Sequence, residues 1–184
     1  DKEAADRAEK LLDDKRAEGD SVGGVVECVV SGMKAGIGEP VFEKLDANLA
    51  KAIVSIGAVK AFEVGDGTKV AKAFGSGNND DFIADDNGNI TKLTNHAGGI
   101  LGGISDGSDV LVRAYFKPTP SIFKEQKTVN KSGENISINI KGRHDPIIVP
   151  RAVVVVESMV ALTVLDMLLI SMTSDIEKIK KFFE

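Results

Sequence analysis

VPRAVVVVESMVALTVLDMLLISM, residues 149–172, is apolar enough to be either a membrane span or the central helix of a core. Charge separates the two. Arg151, Glu157 and Asp166 interrupt the run, and its longest uncharged stretch, residues 158–165, has 8 residues. A span requires ~20, and charges at mid-membrane depth are too costly to be scattered along one. The sequence therefore predicts a helix buried on most sides, with no membrane involved. The rest of the chain has to supply its cover.

That cover reads as strands and hairpins. In residues 22–31, Val26, Cys28 and Val30 share one face, and Val25, Glu27 and Val29 the other. Residues 59–64 form a second strand. Residues 110–117 form a third, with Val110, Val112, Ala114 and Phe116 on one side. Phe42, Leu45, Leu49, Ile53 and Ile56 recur at steps of 3, 4, 4 and 3, which predicts an amphipathic helix, with Gly57 as its stop. Asn87-Gly88 predicts a two-residue hairpin turn within 82–94. Lys131-Ser132-Gly133 predicts another hairpin, joining 122–129 to 135–140. In the latter strand Ile136, Ile138 and Ile140 alternate with Ser137, Asn139 and Lys141, so one face is wet. Helices are predicted at 3–18, briefly at 67–74, and at 175–183. Hairpins outnumber strand–helix–strand units, so the class is α+β, an antiparallel sheet packed on long helices.

The 184 residues carry 23 Lys+Arg against 28 Asp+Glu, a net charge of −5. Such a length suits one domain. The acidic balance argues against a nucleic-acid coat, which needs a basic face. A single Cys, Cys28, rules out an intrachain disulfide framework. With only His96 and His144 beside it, no metal site is expected. Cys28 reads as a small core residue, not a reactive thiol. The first Met is Met33, and residues 1–19 are densely charged, unlike a signal peptide. The expectation is a chain that starts inside a longer product.

Three stretches exceed what packing demands. Asn95-His96-Ala97-Gly98-Gly99-Ile100-Leu101-Gly102-Gly103-Ile104-Ser105 has four glycines in six positions but neither a dinucleotide fingerprint nor a phosphate-loop lysine. It suits a close backbone approach or a pair of tight turns. Lys117-Pro118-Thr119-Pro120-Ser121 sets one cation and two hydroxyls on a stiff frame, a seat for one phosphate or an ordinary proline turn. Gly142-Arg143-His144-Asp145-Pro146 crowds an anion-binding Arg and a carboxylate ahead of the apolar helix. It reads equally as a turn held by an Arg–Asp pair.

Together these stretches resemble the chorismate synthase family. So do Ser31-Gly32, Gly36-Ile37-Gly38-Glu39-Pro40-Val41-Phe42-Glu43-Lys44-Leu45-Asp46, Pro150-Arg151-Ala152 and Glu157-Ser158-Met159. They occur in family order from about residue 19 to 166. Ile147 departs from the smaller residue usual there, and Gly57 stands where members often carry a side chain. The resemblance implies a β-α-β sandwich fold and a cytoplasmic homotetramer. It implies a lyase that uses reduced FMN, with NADPH as the associated reductant. That enzyme converts 5-enolpyruvylshikimate 3-phosphate to chorismate by 1,4-anti elimination, closing the shikimate pathway of aromatic amino acid biosynthesis. Carried over by motif, Gly57 and Ala58 would line the flavin through their backbone, and Gly102 would let the chain pass its ring or ribityl group. Lys117, Pro118, Thr119, Pro120 and Ser121 would hold its polar end. Arg143 would lie between flavin and substrate phosphate, and Asp145 near flavin N5. The resemblance covers only the family's C-terminal half. The catalytic histidines, an arginine-rich flavin loop and most substrate-binding arginines belong to the other half, which implies that residues 1–184 alone are inactive. The rival readings are a non-catalytic flavin- or anion-binding module and a purely structural assembly domain.

Overall fold

The computed structural model describes residues 1–142 and 144–184. A charged helix, α1 (Lys2–Ala17), leads into strand β1 (Gly24–Val30), helix α2 (Leu45–Val54) and strand β2 (Val59–Val64). A 3-10 turn at Gly67–Lys72 and the short α3 (Gly75–Asn78) follow. Two small hairpins come next, β3 (Phe82–Ala84) with β4 (Ile90–Lys92) and β5 (Ile100–Leu101) with β6 (Ile104–Ser105). Strand β7 (Val110–Phe116), the hairpin β8 (Gln126–Val129) with β9 (Asn135–Ile138), and helices α4 (Val149–Ser171) and α5 (Ile176–Phe183) complete the chain.

The main sheet has the order β1-β7-β2, with both outer strands antiparallel to β7. Val110, Val112, Ala114 and Phe116 of β7 all face inward at 5% exposure or less, as their alternation predicts. A bulge between Val59 and Ala61 shifts the β2 register by one residue, so Val59 and Phe62 pair opposite the inward-facing Phe116 and Ala114. Helices α2 and α4 pack on this inner face and on each other. Leu45, Leu49 and Ile53 of α2 are fully buried there. Cys28 faces the same layer, where burial pushes its thiol up and the Glu157 carboxylate adds to the effect. The α+β architecture is therefore the one expected.

Four local expectations are corrected. The α2 helix starts at Leu45, and Phe42 lies outside it, 85% exposed. Its first free N–H is satisfied by tertiary structure, because Leu45 N–H donates to the Gly103 carbonyl at 2.8 Å. The Asn87-Gly88 turn is a three-residue connection, because Asp85 pairs with Asn89 and its carboxylate accepts the N–H of Asn87 and Asn89 at 2.9 and 2.8 Å. The β8–β9 arm is wet on both faces, with Ile136 and Ile138 at 39% and 37% exposure. Finally, α4 is buried along one stripe only: Ala152, Val156, Val160 and Met167. Val154, Leu162, Leu165 and Leu169 stay more than half exposed. By length and composition Val149–Ser174 would suffice to cross a membrane. Its buried stripe packs on β1 and α2.

Candidate functional site

The α2 helix runs out at Ser55, whose hydroxyl donates back to the Ala52 carbonyl at 2.6 Å. The left-handed residue expected at Gly57 falls one position later, at Ala58, with φ +71°. A residue with a Cβ is uncommon there, and this one turns the chain into β2. A Cβ at Gly57 would meet nothing within 4 Å. The Ala58 carbonyl accepts the Lys117 N–H at 2.9 Å, which places the proline run directly beside this turn.

Within that run Lys117, Pro118 and Pro120 are exposed, and Thr119 and Ser121 are half-buried. Lys117 makes no ion pair among the described residues. The Thr119 carbonyl accepts the Ser21 hydroxyl at 2.7 Å. Its own Oγ1 is buried and has no hydrogen-bond partner among the described residues. Gly23 makes the close approach possible: a Cβ there would lie 2.5 Å from the Phe116 carbonyl oxygen.

The third stretch arrives at the same end of the molecule. The Pro146 carbonyl accepts the Val22 N–H at 2.8 Å. Asp145 Oδ2 accepts from Arg151 Nη1 at 2.8 Å, a local Arg–Asp pair among the described residues. The His144 ring stands edge-on to Phe123 with centroids 4.9 Å apart. A cavity of about 250 Å3 opens between Arg16, Asp20, Ser121, Phe123, His144 and Asp145. Lys124, 2.7 Å from Asp20, holds that carboxyl below its usual value, helped by the Ser21 N–H. The Arg143 expectation lies outside the described residues.

The structure thus gathers Gly57, Ala58, Lys117, Pro118, Thr119, Pro120, Ser121 and Asp145 at one end of the sheet. Gly102 lies elsewhere. Gly102 and Gly103, at φ +62° and +88°, form the tight turn between β5 and β6, the geometry that two consecutive left-handed residues favour. The Gly103 carbonyl caps the start of α2. Gly102 is therefore separated from Ala58 by the length of a ten-residue helix, about 15 Å. Arg16, Asp20 and Ser21 also line the end that holds Ser121 and Asp145, and none of them belongs to the three stretches singled out by composition. The available signal was Gly19-Asp20-Ser21-Val22-Gly23-Gly24, three glycines in six positions before a strand.

A family model described as chorismate synthase matches residues 1–169. The chorismate synthase of Lachnoclostridium phytofermentans is 64% identical over 184 residues, covering 100% of this chain and 50% of that protein. That of Lachnospira eligens is 60% identical over 183 residues with the same coverage. A crystal structure of chorismate synthase superposes with a TM-score of 0.74 at 28% identity, covering 97% of this chain and 46% of the other. The chain spans about half the length of the curated relatives it matches. On a family match that runs through nearly all its elements, the chain belongs to the chorismate synthase family.

Proposed function

We propose that these 184 residues are the C-terminal, flavin-seating half of a chorismate synthase. The complete protein releases phosphate from 5-enolpyruvylshikimate 3-phosphate by 1,4-anti elimination, leaving chorismate. The family match over residues 1–169 carries this reading. The gathering of Ala58, Lys117, Thr119, Ser121 and Asp145 at one end of the sheet supports the site within it.

The donor set there fits a cofactor that ends in a phosphate. An exposed cation free of ion pairs among the described residues stands beside a buried hydroxyl without a partner, and such a hydroxyl is costly unless something completes it. Lys117, Thr119 and Ser121 hold the phosphate end of FMN. Gly57 and Ala58 admit the cofactor along their backbone. Gly102, at the far end of α2, serves its ring or ribityl portion. A reduced flavin held by these residues would lend electron density to the loss of phosphate with no net redox change. Arg143 stabilises charge on the departing phosphate. Asp145 takes up the proton that leaves C6 of the substrate. NADPH-derived reducing equivalents, a homotetramer and a cytoplasmic location belong to the same reading. The open face of α4 is covered by the other half of the polypeptide.

The test is turnover of 5-enolpyruvylshikimate 3-phosphate by the complete protein with FMN under reducing conditions. Chorismate and phosphate should appear in equal amounts. FMN binding without phosphate release would make the protein a flavin-binding module and overturn the enzymatic reading.

A further inference from the structure

We propose that Lys92 is a positioning residue that locks the Gly102–Gly103 hairpin in place for the cofactor. The inference rests on the role given to Gly102 above. Lys92 ends β4, and its side chain is only 3% exposed. Its ammonium lies 2.7 Å from Asp106 Oδ2, 3.3 Å from Asp80 Oδ2 and 3.3 Å from Asn95 Oδ1. The Asp80 and Asp106 side chains are equally enclosed, at 2% and 7% exposure.

Each partner holds one flank of the glycine-rich run. Asp80 accepts the Thr94 hydroxyl at 2.6 Å and the N–H groups of His96 and Ala97 at 2.7 and 3.0 Å. Asn95 accepts the Gly99 N–H at 2.8 Å and donates to the Asp109 carbonyl at 2.8 Å. On the far flank, Asp106 accepts the Ser108 N–H at 2.9 Å, and its own N–H donates to the Gly99 carbonyl at 3.0 Å. One ammonium therefore ties the segment entering the hairpin to the segment leaving it.

Two carboxylates enclosed around one cation are a poor choice for stability alone, because each charge gives up its hydration. The arrangement is stable only while complete. Burial opposes ionisation of Asp80, but the Thr94 hydroxyl, the two N–H groups and Lys92 together hold its carboxyl below its usual value. Burial likewise opposes ionisation of Asp106, and Lys92 with Ser108 reverses it. Removing Lys92 leaves two enclosed like charges and frees both flanks. The β3–β4 arm is otherwise solvent-exposed along its strands. Its structural contribution is at its base, where it delivers Asp80 and Lys92.

The experiment uses the complete protein and two readouts, amide hydrogen exchange and FMN titration. Lys92→Met should raise exchange across residues 98–105 at least tenfold while leaving β1 and β7 unchanged, and should raise the FMN Kd about tenfold. Lys92→Arg should restore both. Asp106→Asn, which keeps the volume and removes one charge, provides a milder version if Lys92→Met does not fold. Unchanged exchange across 98–105 in the folded variant would overturn the proposal. So would raised exchange with an unchanged Kd. Gly102→Asn tests the underlying reading separately. Asparagine tolerates φ +62°, and its side chain enters open space. If that variant binds FMN normally, Gly102 is not at the cofactor and the functional half of the proposal falls. The clamp itself is then judged by Lys92→Met exchange alone.

Discussion

Two buried hydroxyls at opposite ends of α2 make a useful contrast. Ser105, 3% exposed, donates to the Lys34 carbonyl at 2.5 Å and accepts the Ile37 N–H at 2.9 Å. Thr119 Oγ1 is just as enclosed and has neither kind of partner among the described residues. The glycine end of the molecule is braced by its own contacts, with Lys92, Asp80 and Asp106 completing the set, beside a cavity of about 730 Å3 that Lys92, Asn95 and Asp106 help to line. The proline end holds an exposed cation, an incomplete hydroxyl and a cavity. Ser105, Asp80 and Asp106 find their hydrogen-bond partners within the chain, whereas Thr119 Oγ1 finds none among the described residues.

The contrast breaks most visibly if chemistry at the proline end is disturbed without altering its shape. Asp145→Asn keeps the volume and removes proton-accepting capacity. Steady-state kinetics on the complete protein should show turnover lowered by about 10²–10⁴-fold, with the FMN Kd nearly unchanged. Normal kcat would end the proton-transfer role of Asp145.

Lys117→Ala comes next. A charge-assisted contact to phosphate is worth about 1.5–3 kcal/mol, or one to two decades in Kd. Turnover at saturating FMN should change far less than affinity. A titration with unaltered Kd would remove Lys117 from the phosphate seat.

The hydroxyls themselves sharpen the comparison. Thr119→Val should leave stability unchanged or raise it by up to about 1 kcal/mol, since it removes a polar atom with no partner, while FMN affinity drops about tenfold. Ser105→Ala should do the reverse, costing about 1–3 kcal/mol in denaturant melts with a smaller effect on FMN. Equal stability losses in both variants would mean that the two ends are built alike.

Acid gives the smallest effect. The folded-state carboxyls of Asp80 and Asp106 lie below their unfolded values. Their stabilisation is therefore complete above the unfolded pKa of about 3.9 and is lost as pH falls below it. Protection at 98–105, measured against the intrinsic exchange rate at each pH, should fall below about pH 4 before protection in β7 does, because the inward face of β7 is apolar and its carboxylate partners Glu27 and Glu63 lie on the opposite face.

Regularity explains which parts could be read from sequence. The β7 alternation and the Leu45, Leu49, Ile53 spacing are local signals, and both elements formed where those signals lie. The start of α2 lies outside that regularity because its cap comes from Gly103, 58 residues along the chain. The burial of α4 departs from its composition because the chain covers only the stripe of Ala152, Val156, Val160 and Met167. At the site, the motifs marked Lys117, Thr119, Ser121 and Asp145, but no spacing rule shows that Ser121 and Asp145 share a cavity with Arg16. The Lys92 network left no signature at all. Asp80, Lys92 and Asp106 are ordinary charged residues until the fold encloses them.

If this chain supplies one half of an active chorismate synthase, activity must depend on both halves. The most direct test is chorismate formation from 5-enolpyruvylshikimate 3-phosphate with excess FMN and reductant. Residues 1–184 are assayed alone and then together with the remaining half of the protein. Alone, the chain should form no chorismate and should self-associate through the open α4 face around Leu162, Leu165 and Leu169. With the other half present, solubility and activity should return together. A soluble, monomeric and active preparation of residues 1–184 alone would contradict the account.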